Sequence, residues 1–480
     1  MPNFKDLRHS RVFEIFEEIS KIPRGSGNRD TIAAYCADFA KKNSLRYVVD
    51  DAKNVIIYKD AAQGFENAAP VILQGHLDMV CQKTPECPID FEKEGITLVR
   101  EGDILHADGT TLGADNGIAV AMALSILERN DIPHPPIEAV FTADEEVGML
   151  GAIALDTSLL RAKRLINIDS EEDDVVTVSC AGGSDFMVSI PLNRTPIFSA
   201  GITIEISGLR GGHSGVEIAA HRVSAAMLAG RLLNHLSALA DFSLVSLNSG
   251  NKPNAIPNAA SITLASDTPE TLATLAEEYL GAIQNEIAHE TAFTSKITTF
   301  SSTKCLAVDK LSQKDLIFAL ACTPNGVMEM SAEIEGLVET SLNLGILSTD
   351  GEEATLHYAL RSNKSSALTA LGEKMFAFYA KTDAKTSTSG HYPPWEFKKD
   401  SALTALYAET YHEAVGSDPK IEAIHAGLEC AVFSSAIKGV DCIAIGPNVF
   451  DAHTVKERLE ISSAEKVYDI LLRLLEKLAK

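Results

Sequence analysis

The sequence predicts an α/β protein in which helices cover both faces of a largely parallel mixed sheet, with an α+β domain inserted into the chain. Short apolar segments alternate with helical segments in the first third of the chain, and this pattern returns near the C-terminus. At 480 residues the chain exceeds the size at which one hydrophobic core keeps growing. We therefore expect one domain in two parts, 1–186 and 398–480, and a second domain inserted between them over 187–397.

The elements of the first domain follow from apolar periodicity. The spacing of Phe13, Phe16 and Ile19 predicts a helix over 10–22, and a second helix is expected over 29–42. Near the C-terminus, 442–445 resembles a buried strand, and a capping box from Ser462 to Glu465 is expected to open the last helix. The other predicted elements are strands over 45–49, 54–58, 71–73, 137–142 and 164–168, and a helix over 116–128.

The inserted domain has a different pattern. Residues 201–207 alternate strictly between apolar and polar side chains, which is typical of a half-exposed strand. A similar order of elements recurs after residue 296, so a two-lobed insert is one interpretation that the sequence leaves open. The predicted elements are helices over 216–235, 269–290, 311–322 and 366–380, and strands over 242–248, 260–265, 338–348 and 354–361.

Composition excludes several classes of protein. With 42 basic and 66 acidic residues the net charge is −24, which disfavours nucleic acid as a partner. No run of eighteen apolar residues predicts a membrane span, and the charged N-terminal segment does not resemble a signal peptide. The eight cysteines form no CxxC pair, so reduced thiols and a cytoplasmic location are expected.

Acidic and imidazole side chains occur where apolar strands end or in glycine-rich turns beside them. Each residue taken alone fits an ordinary turn or cap. Open α/β sheets, however, place their sites at the carboxyl ends of strands, and two imidazoles with several carboxylates suit a pair of divalent metal ions. The pattern therefore predicts a two-metal hydrolase built from His76, Asp78, Asp115, Glu145, Glu146, Asp169 and His453.

Longer blocks of sequence carry a resemblance to a known family. The chain resembles the M20 family of metallopeptidases, and within it the aminoacyl-histidine dipeptidase (peptidase D, Xaa-His dipeptidase) branch. The similarity covers nearly the whole chain in the same order and implies a zinc-peptidase catalytic domain with an inserted lid. The blocks are GHLDMV (75–80), TTLGADNGIA (110–119), TADEEVGMLGA (142–152), INIDSEE (166–172), GLRGGHSG (208–215), NAIP (254–257) and HAGLEC (425–430), followed by the late His453.

The resemblance implies a metal pair and its ligands. Asp115 resembles the carboxylate that bridges both ions, and the peptide bond after it is expected to be cis. His76 and Asp169 resemble the remaining ligands of one ion, and Glu146 and His453 those of the other. Zinc is the expected metal, although manganese or cobalt also suits such a nitrogen and oxygen site.

The resemblance also implies how the centre works. Three carboxylates against two Zn²⁺ leave one positive charge, which favours a bound hydroxide as the attacking group at neutral pH. Glu145 resembles the general base and later the acid, and Asp78 resembles a residue that fixes the imidazole of His76. For Glu145 the alternative is a solvated surface carboxylate. Both glutamates of the 145–146 pair reach the site only if the chain turns there, which Gly148 allows.

The inserted domain is expected to contact the substrate. His213 resembles a lid histidine that stabilises the developing oxyanion. Asn254, Arg361, His425 and Gly427 resemble substrate contacts, and a guanidinium suits the terminal carboxylate of a peptide. Relatives obtain the lid histidine either from a dimer partner or from a doubled lid in the same chain, so a homodimer remains open.

These observations favour a cytosolic dizinc dipeptidase that cleaves unblocked dipeptides, with Xaa-His (carnosine-like) substrates preferred. One alternative is an N-acyl amino acid deacylase of the same family, because the same metal ligands serve both reactions. A second alternative is a non-catalytic metal-binding scaffold. A nucleotide-dependent enzyme lacks support, since the chain has neither a GxxxxGK[ST] loop nor a strand-linked GxGxxG.

Overall fold

The computed structural model describes residues 2–480, and the chain divides into two compact units. The first unit comprises residues up to 180 together with 397–423 and 428–480, and the second comprises 181–396 and 424–427. The mixed α/β architecture predicted from the sequence is confirmed. The domain limits at 186/187 and 397/398 stay a prediction.

Helices occur in both units of the described chain. They are α1 (Ser10–Ser20), α2 (Asp30–Lys42), α3 (Ala114–Glu128), α4 (Leu150–Ala154), α5 (Ala225–Leu239), α6 (Pro269–Glu286), α7 (Lys310–Cys322), α8 (Ser365–Tyr379), α9 (Ala402–Val415), α10 (Glu429–Ala436) and α11 (Ile461–Ala479).

The strands are numbered in chain order. They are β1 (Arg46–Val49), β2 (Val55–Lys59), β3 (Val71–His76), β4 (Leu98–Glu101), β5 (Ile104–Ala107), β6 (Ile137–Thr142), β7 (Arg164–Asn167), β8 (Val175–Cys180), β9 (Gly182–Pro191), β10 (Arg194–Ser207), β11 (Gly212–His213), β12 (Ser243–Ser249), β13 (Ala255–Ile256), β14 (Ala260–Ala265), β15 (Thr294–Val308), β16 (Gly326–Met330), β17 (Val338–Ser348), β18 (Glu353–Ser362), β19 (Lys385–Tyr392), β20 (Lys420–Ile424), β21 (Asp441–Ala444), β22 (Val449–Phe450) and β23 (Arg458–Glu460).

The first unit is built on an eight-stranded sheet in the order β1-β2-β6-β3-β7-β21-β8-β20. Its four central strands, β6, β3, β7 and β21, run parallel, whereas β1, β2 and β8 pair antiparallel. Every residue of β3 and β6 is buried, which explains their continuous apolar runs. Because the four central strands are parallel, their carboxyl ends meet at one edge of the sheet.

The second unit is built on a nine-stranded antiparallel sheet with the order β15-β10-β14-β12-β17-β18-β9-β19, and β16 pairs with β17. Two halves with the same strand order meet at β12 and β17. In each half the first strand (β10 or β9) lies between the fourth (β15 or β19) and the third (β14 or β18). The sheet therefore has the two-lobed arrangement that the recurring elements left open, and one half is inserted after the first strand of the other.

Two local predictions are wrong. The helix expected over 216–235 is α5, which begins at Ala225, because residues 214–219 form turns. The capping box is absent, since α11 begins at Ile461 and Ser462 donates instead to the carboxylate of Asp103. Within residues 2–480, no helix is long and apolar enough to cross a membrane.

Candidate metal centre

The proposed ligands gather at the carboxyl ends of the central strands. His76 is the last residue of β3, and Asp169 lies two residues beyond the end of β7. Glu146 lies in the turn after β6, and Asp115 is in the first turn of α3. The peptide bond between Asp115 and Asn116 is cis, as the resemblance implies.

The ligand atoms are close enough to share metal ions. The Nε2 atom of His76 lies 3.0 Å from Oδ1 of Asp115 and 3.5 Å from Oδ1 of Asp169. On the other side, Nε2 of His453 lies 3.0 Å from Oδ2 of Asp115 and 3.1 Å from Oε2 of Glu146. Two ligands ~2.1 Å from one tetrahedral ion lie ~3.4 Å apart, so these separations suit a shared cation.

The charged groups of the cluster shift one another's pKa values. Burial opposes a charged imidazole at His76, but the carboxylates of Asp169 and Asp115 outweigh it and raise the His76 pKa well above its usual value. Hydrogen bonds to Asp115 and Glu146 raise the pKa of His453 to about 11. Burial raises the pKa of Asp169 to about 6. The cluster therefore concentrates negative charge that protonated imidazoles only partly offset.

Asp78 connects the two loops that hold these ligands. Its Oδ1 and Oδ2 accept hydrogen bonds from the backbone N–H groups of Glu145 (3.0 Å) and Glu146 (3.2 Å). Oδ2 also accepts from the hydroxyl of Ser26 at 2.8 Å. Nδ1 of His76 lies 3.2 Å from the Asp78 carbonyl oxygen and 3.4 Å from Oδ1. Because the Nδ1 side of the His76 ring faces Asp78, its Nε2 faces Asp115 and Asp169.

A tight turn brings both glutamates after β6 to the same edge. Asp144 has a φ of 54° and Gly148 a φ of 111°, and the N–H of Gly148 donates to the carbonyl of Glu145 at 2.9 Å. The side chain of Glu145 lies with Oε2 4.0 Å from Nε2 of His76. Burial, reinforced by neighbouring carboxylates, raises the pKa of Glu145 well above its usual value despite the opposing influence of His76.

In the second unit, His213 is held as a neutral imidazole. Its Nδ1 accepts hydrogen bonds from the backbone N–H groups of Gly215 and Val216, both at 3.2 Å. Burial, aided by the positive charge of Arg361, lowers its pKa to about 4. An acceptor at Nδ1 places the ring proton on Nε2, so the imidazole offers Nε2–H as a donor near neutral pH.

The predicted substrate contacts of the second unit lie near His213. The strand β11 that carries His213 pairs with β13, which follows Asn254 directly. Arg361 is 9% exposed, and its Nη1 donates to the Tyr392 hydroxyl at 2.9 Å. Its Nε is buried and has no hydrogen-bond partner within residues 2–480. Such an unpaired donor is suited to an anionic ligand.

His425 is fixed from both sides of its ring. Nε2 lies 2.7 Å from the hydroxyl of Ser341, and Nδ1 lies 3.1 Å from Oδ1 of Asn363. Because an amide oxygen only accepts, Nδ1 carries the proton and Nε2 accepts from the hydroxyl. Burial lowers the pKa of His425 to about 3. Gly427, two residues on, is half-buried.

Comparison with known proteins identifies the family. The profile of peptidase family M20/M25/M40 matches residues 72–477. The chain belongs to this family. It is 35% identical over 483 residues to the cytosol non-specific dipeptidase of Escherichia coli, which covers 100% of this chain and 99% of that protein. This M20 peptidase is therefore a hydrolase.

Solved structures agree with this assignment. The aminoacylhistidine dipeptidase of Vibrio alginolyticus superposes with a TM-score of 0.88 at 34% identity, covering 99% of this chain and 98% of that one. An aminopeptidase from Bacillus cereus, 15% identical, superposes with a TM-score of 0.57 over 98% of both chains and shares the fold. The family prediction made from the sequence is confirmed.

M20 metallopeptidases use metal ions, and the residues of this M20 peptidase fit that requirement. One ligand atom each from His76, Asp115 and Glu146 lies within 4.8 Å of the others. Imidazole nitrogen and carboxylate oxygen are the donors that zinc, manganese and cobalt accept. The donor set therefore suits a divalent cation and leaves the choice of metal open.

A buried layer of polar residues beside the ligands gave no signal in the sequence. Glu429, fully buried at the start of α10, accepts hydrogen bonds at Oε2 from Gln74 and from Thr142 Oγ1 (2.6 Å). The amide of Asn167 donates to Gln74 at 2.6 Å. Gln74 precedes His76 by two residues in β3, and residues two apart share a face of a strand. Burial raises the pKa of Glu429 to about 7.

Proposed function

We propose that this M20 peptidase hydrolyses unblocked dipeptides in the cytoplasm, with Xaa-His substrates favoured. It would use two divalent cations, with Zn²⁺ as the first choice and Mn²⁺ or Co²⁺ as alternatives. The observation that carries the proposal is the convergence of His76, Asp115 and Glu146 within 4.8 Å. The names of the two similar proteins, a cytosol non-specific dipeptidase and an aminoacylhistidine dipeptidase, support the substrate class.

The proposed ligands divide between two ions. His76 and Asp169 would complete one ion, Glu146 and His453 the other, and Asp115 would bridge them. Bound cations of this kind polarise a carbonyl and lower the pKa of water to about 7. Asp78 would hold the imidazole of His76 with Nε2 directed at the site.

Glu145 is the proposed general base. Its carboxylate would take a proton from the attacking water as the oxygen bonds to the scissile carbonyl carbon. It would then give that proton to the leaving nitrogen as the C–N bond breaks. A carboxyl group whose pKa is raised by burial suits both steps, because it exchanges protons closer to neutral pH than an exposed glutamate does.

The second unit supplies the proposed substrate contacts. His213, neutral and protonated at Nε2, would donate to the oxyanion that forms on the scissile carbonyl. The unpaired Nε of Arg361 would contact the terminal carboxylate of the dipeptide. Asn254, His425 and Gly427 would border the same ligand.

The test is hydrolysis of a small panel by protein loaded with Zn²⁺. The panel contains β-Ala-His, Gly-His, Ala-Leu, a tripeptide and an N-acetyl amino acid. We expect cleavage of the free dipeptides, fastest for those ending in histidine. Glu145→Ala should lower kcat by at least about 10²-fold, since general base catalysis contributes about 10²–10⁴-fold.

The control is Glu172→Gln, which removes an exposed carboxylate three residues beyond Asp169 and should retain the wild-type rate. Cleavage of the N-acetyl compound alone would identify a deacylase instead. Two bound ions with no hydrolysis of any compound would favour a non-catalytic scaffold.

A further inference from the structure

The loop that leads into Asp115, residues 112–115, is held from both sides by buried charged residues. We name it the Asp115 loop. Glu457 is 2% exposed and its carboxylate lies on the N–H side of the loop. Arg24 is also 2% exposed and its guanidinium lies on the carbonyl side. Both residues belong to the first unit.

Glu457 accepts hydrogen bonds from all four backbone N–H groups of the loop. Oε2 accepts from Leu112 at 2.8 Å and Gly113 at 3.0 Å. Oε1 accepts from Ala114 at 2.8 Å, and the N–H of Asp115 lies 3.4 Å away. Four converging donors make this a backbone anion site that a carboxylate of the same chain fills.

Arg24 binds carbonyl oxygens from two ligand-bearing loops. Nη2 donates to the carbonyl of Gly113, and Nη1 donates to those of Leu77 (3.1 Å) and Asp78 (3.0 Å). A single guanidinium thus joins the Asp115 loop to the segment that follows His76. Gly113 has a φ of 64°, and a Cβ there would lie 2.4 Å from Nη2 of Arg24. Glycine is therefore required for this close approach.

Glu457 also belongs to the segment that carries His453. Its own N–H donates to the carbonyl of Thr454 at 3.1 Å, which closes a turn directly after the histidine. Residues 453–457 thus supply one proposed ligand, whose Nε2 lies 3.0 Å from Asp115, and fix the backbone of Asp115 itself. Movement of this segment would displace both ligands together.

We infer that Glu457 and Arg24 are positioning residues that fix the position of the bridging Asp115. They would thereby determine how tightly the more weakly bound of the two cations is held. This inference rests on the proposed metal centre. The side chains of Glu457 and Arg24 bind backbone groups of the Asp115 loop, so each acts on Asp115 through that backbone. Substitutions of residues that orient metal ligands typically lower metal affinity by about 10–100-fold.

The experiment measures Co²⁺ and Zn²⁺ affinity by competition with a chromogenic chelator, together with the visible spectrum of the cobalt-loaded protein. Glu457→Gln keeps the size of the side chain but turns an NH₂ group toward two N–H donors. We expect wild-type protein to bind two ions, and Glu457→Gln to bind the weaker one at least about tenfold less tightly with an altered cobalt spectrum.

Glu138→Gln is the matched control for lost backbone capping. Glu138 is 5% exposed in β6, and its carboxylate accepts from the N–H groups of Arg161 (3.0 Å) and Ala162 (3.1 Å). It lies near the start of the strand, away from the carboxyl end. Glu138→Gln should lower thermal stability comparably and leave metal affinity and the cobalt spectrum unchanged.

Arg24→Lys tests the same loop from its other side, and remains informative if Glu457→Gln fails to fold. Its control is Arg164→Lys, because Arg164 also donates to backbone carbonyls, those of Ala69 and Leu478. Equal metal affinity in Glu457→Gln and Glu138→Gln, or in both arginine variants, would overturn the inference. Wild-type protein that binds fewer than two ions would instead overturn the proposed metal centre, and this inference with it.

Discussion

His213 provides a prediction at the scale of a single residue. With Nδ1 accepting two backbone N–H groups and a pKa near 4, the ring stays neutral above about pH 5 and keeps its Nε2–H. His213→Asn should therefore lower kcat by about 10²–10³-fold, as expected for the loss of one oxyanion donor, with a smaller change in KM. Steady-state kinetics on Gly-His from pH 5.5 to 8.5 checks this.

The control for this substitution is His221→Asn. His221 is exposed and has a φ of 53°, a conformation that asparagine tolerates. Its kinetics should match those of the wild type. Because His213 does not titrate over this range, the acid limb of the kcat profile should keep its position in His213→Asn. A limb that moves with the substitution would contradict the neutral-donor role.

Single residues also show what the sequence can and cannot predict. His76 and Asp169 could be proposed because each follows an apolar strand, and strand ends of a parallel sheet converge. Glu457 gave no such signal, since its contacts with the Asp115 loop join residues more than 340 positions apart. Arg24 resembles an ordinary loop arginine in sequence. Its burial against three carbonyl oxygens appears only in the fold.

At the scale of elements, His425 connects the segment 424–427 to two strands of the second unit. It contacts Ser341 in β17 and Asn363 directly after β18. Its pKa is lowered to about 3 in the folded protein, against 6.5 for the free group, so the unfolded chain binds the extra proton between these values. Stability is therefore lost as pH falls below about 6.5, by up to about 1.4 kcal/mol per pH unit.

This pH dependence can be isolated with His425→Gln. The variant should be less stable than the wild type at pH 7.5 and should lose less stability between pH 6.5 and 4.5. Urea unfolding midpoints, measured every 0.5 pH unit, compare the pH dependence of stability in the variant and the wild type. The exposed His391, changed to Gln, is the control and should follow the wild-type curve. Parallel curves for His425→Gln and wild type would refute a buried neutral His425.

The sequence predicts the limits of an element where burial imposes a regular spacing of apolar residues. It does not predict them where contacts between distant residues determine where an element begins. The strand predicted over 137–142 is β6 with the same limits, because both of its faces are buried. The helix predicted over 216–235 starts late, since residues 214–219 turn where the N–H groups of Gly215 and Val216 donate to His213. The Ser462 hydroxyl donates a hydrogen bond to Asp103, which lies 359 residues away in the chain. A capping rule that considers only neighbouring residues does not detect this contact.

The duplication in the second unit illustrates the same limit at larger range. The sequence showed a recurring order of elements after residue 296 but not where the second half begins. Its first strand, β9, precedes the whole first half in the chain. A repeat interrupted in this way has no fixed period along the sequence, so only the strand order of the folded sheet reveals it.

At the scale of the whole molecule, the net charge of −24 opposes a compact state, and the metal centre adds to that cost locally. Asp115, Glu145, Glu146 and Asp169 lie close together, and in the metal-free protein the imidazoles of His76 and His453 provide the nearest positive charge. Two divalent cations would balance the charge of these carboxylates more strongly than the two imidazoles do. Metal content should therefore govern the stability of the first unit.

The final prediction concerns removal of the metal. Treatment with a chelator should lower the thermal midpoint, and restoring Zn²⁺ at 100 times its Kd should return about 2.7 kcal/mol of stability per site. The loss should grow with pH. The raised pKa of His453, about 11 in the metal-free protein against 6.5 for the free group, contributes stability that is complete below pH 6.5 and is lost as pH rises toward 11. Bound cations gain as ligands lose protons over the same range.

Differential scanning fluorimetry at pH 6.5, 7.5 and 8.5, with and without chelator, measures how far chelation lowers the thermal midpoint at each pH. The control is Asp169→Asn, which removes a proposed ligand while keeping the shape of the side chain, and should reduce the response to added Zn²⁺ at every pH. The prediction fails if the chelator-induced drop in the wild-type midpoint shrinks as pH rises, or if chelator does not change that midpoint. Either result would mean that protonated histidines rather than cations balance the carboxylates. The proposed two-metal centre would then fail on stability alone, before any substrate is tried.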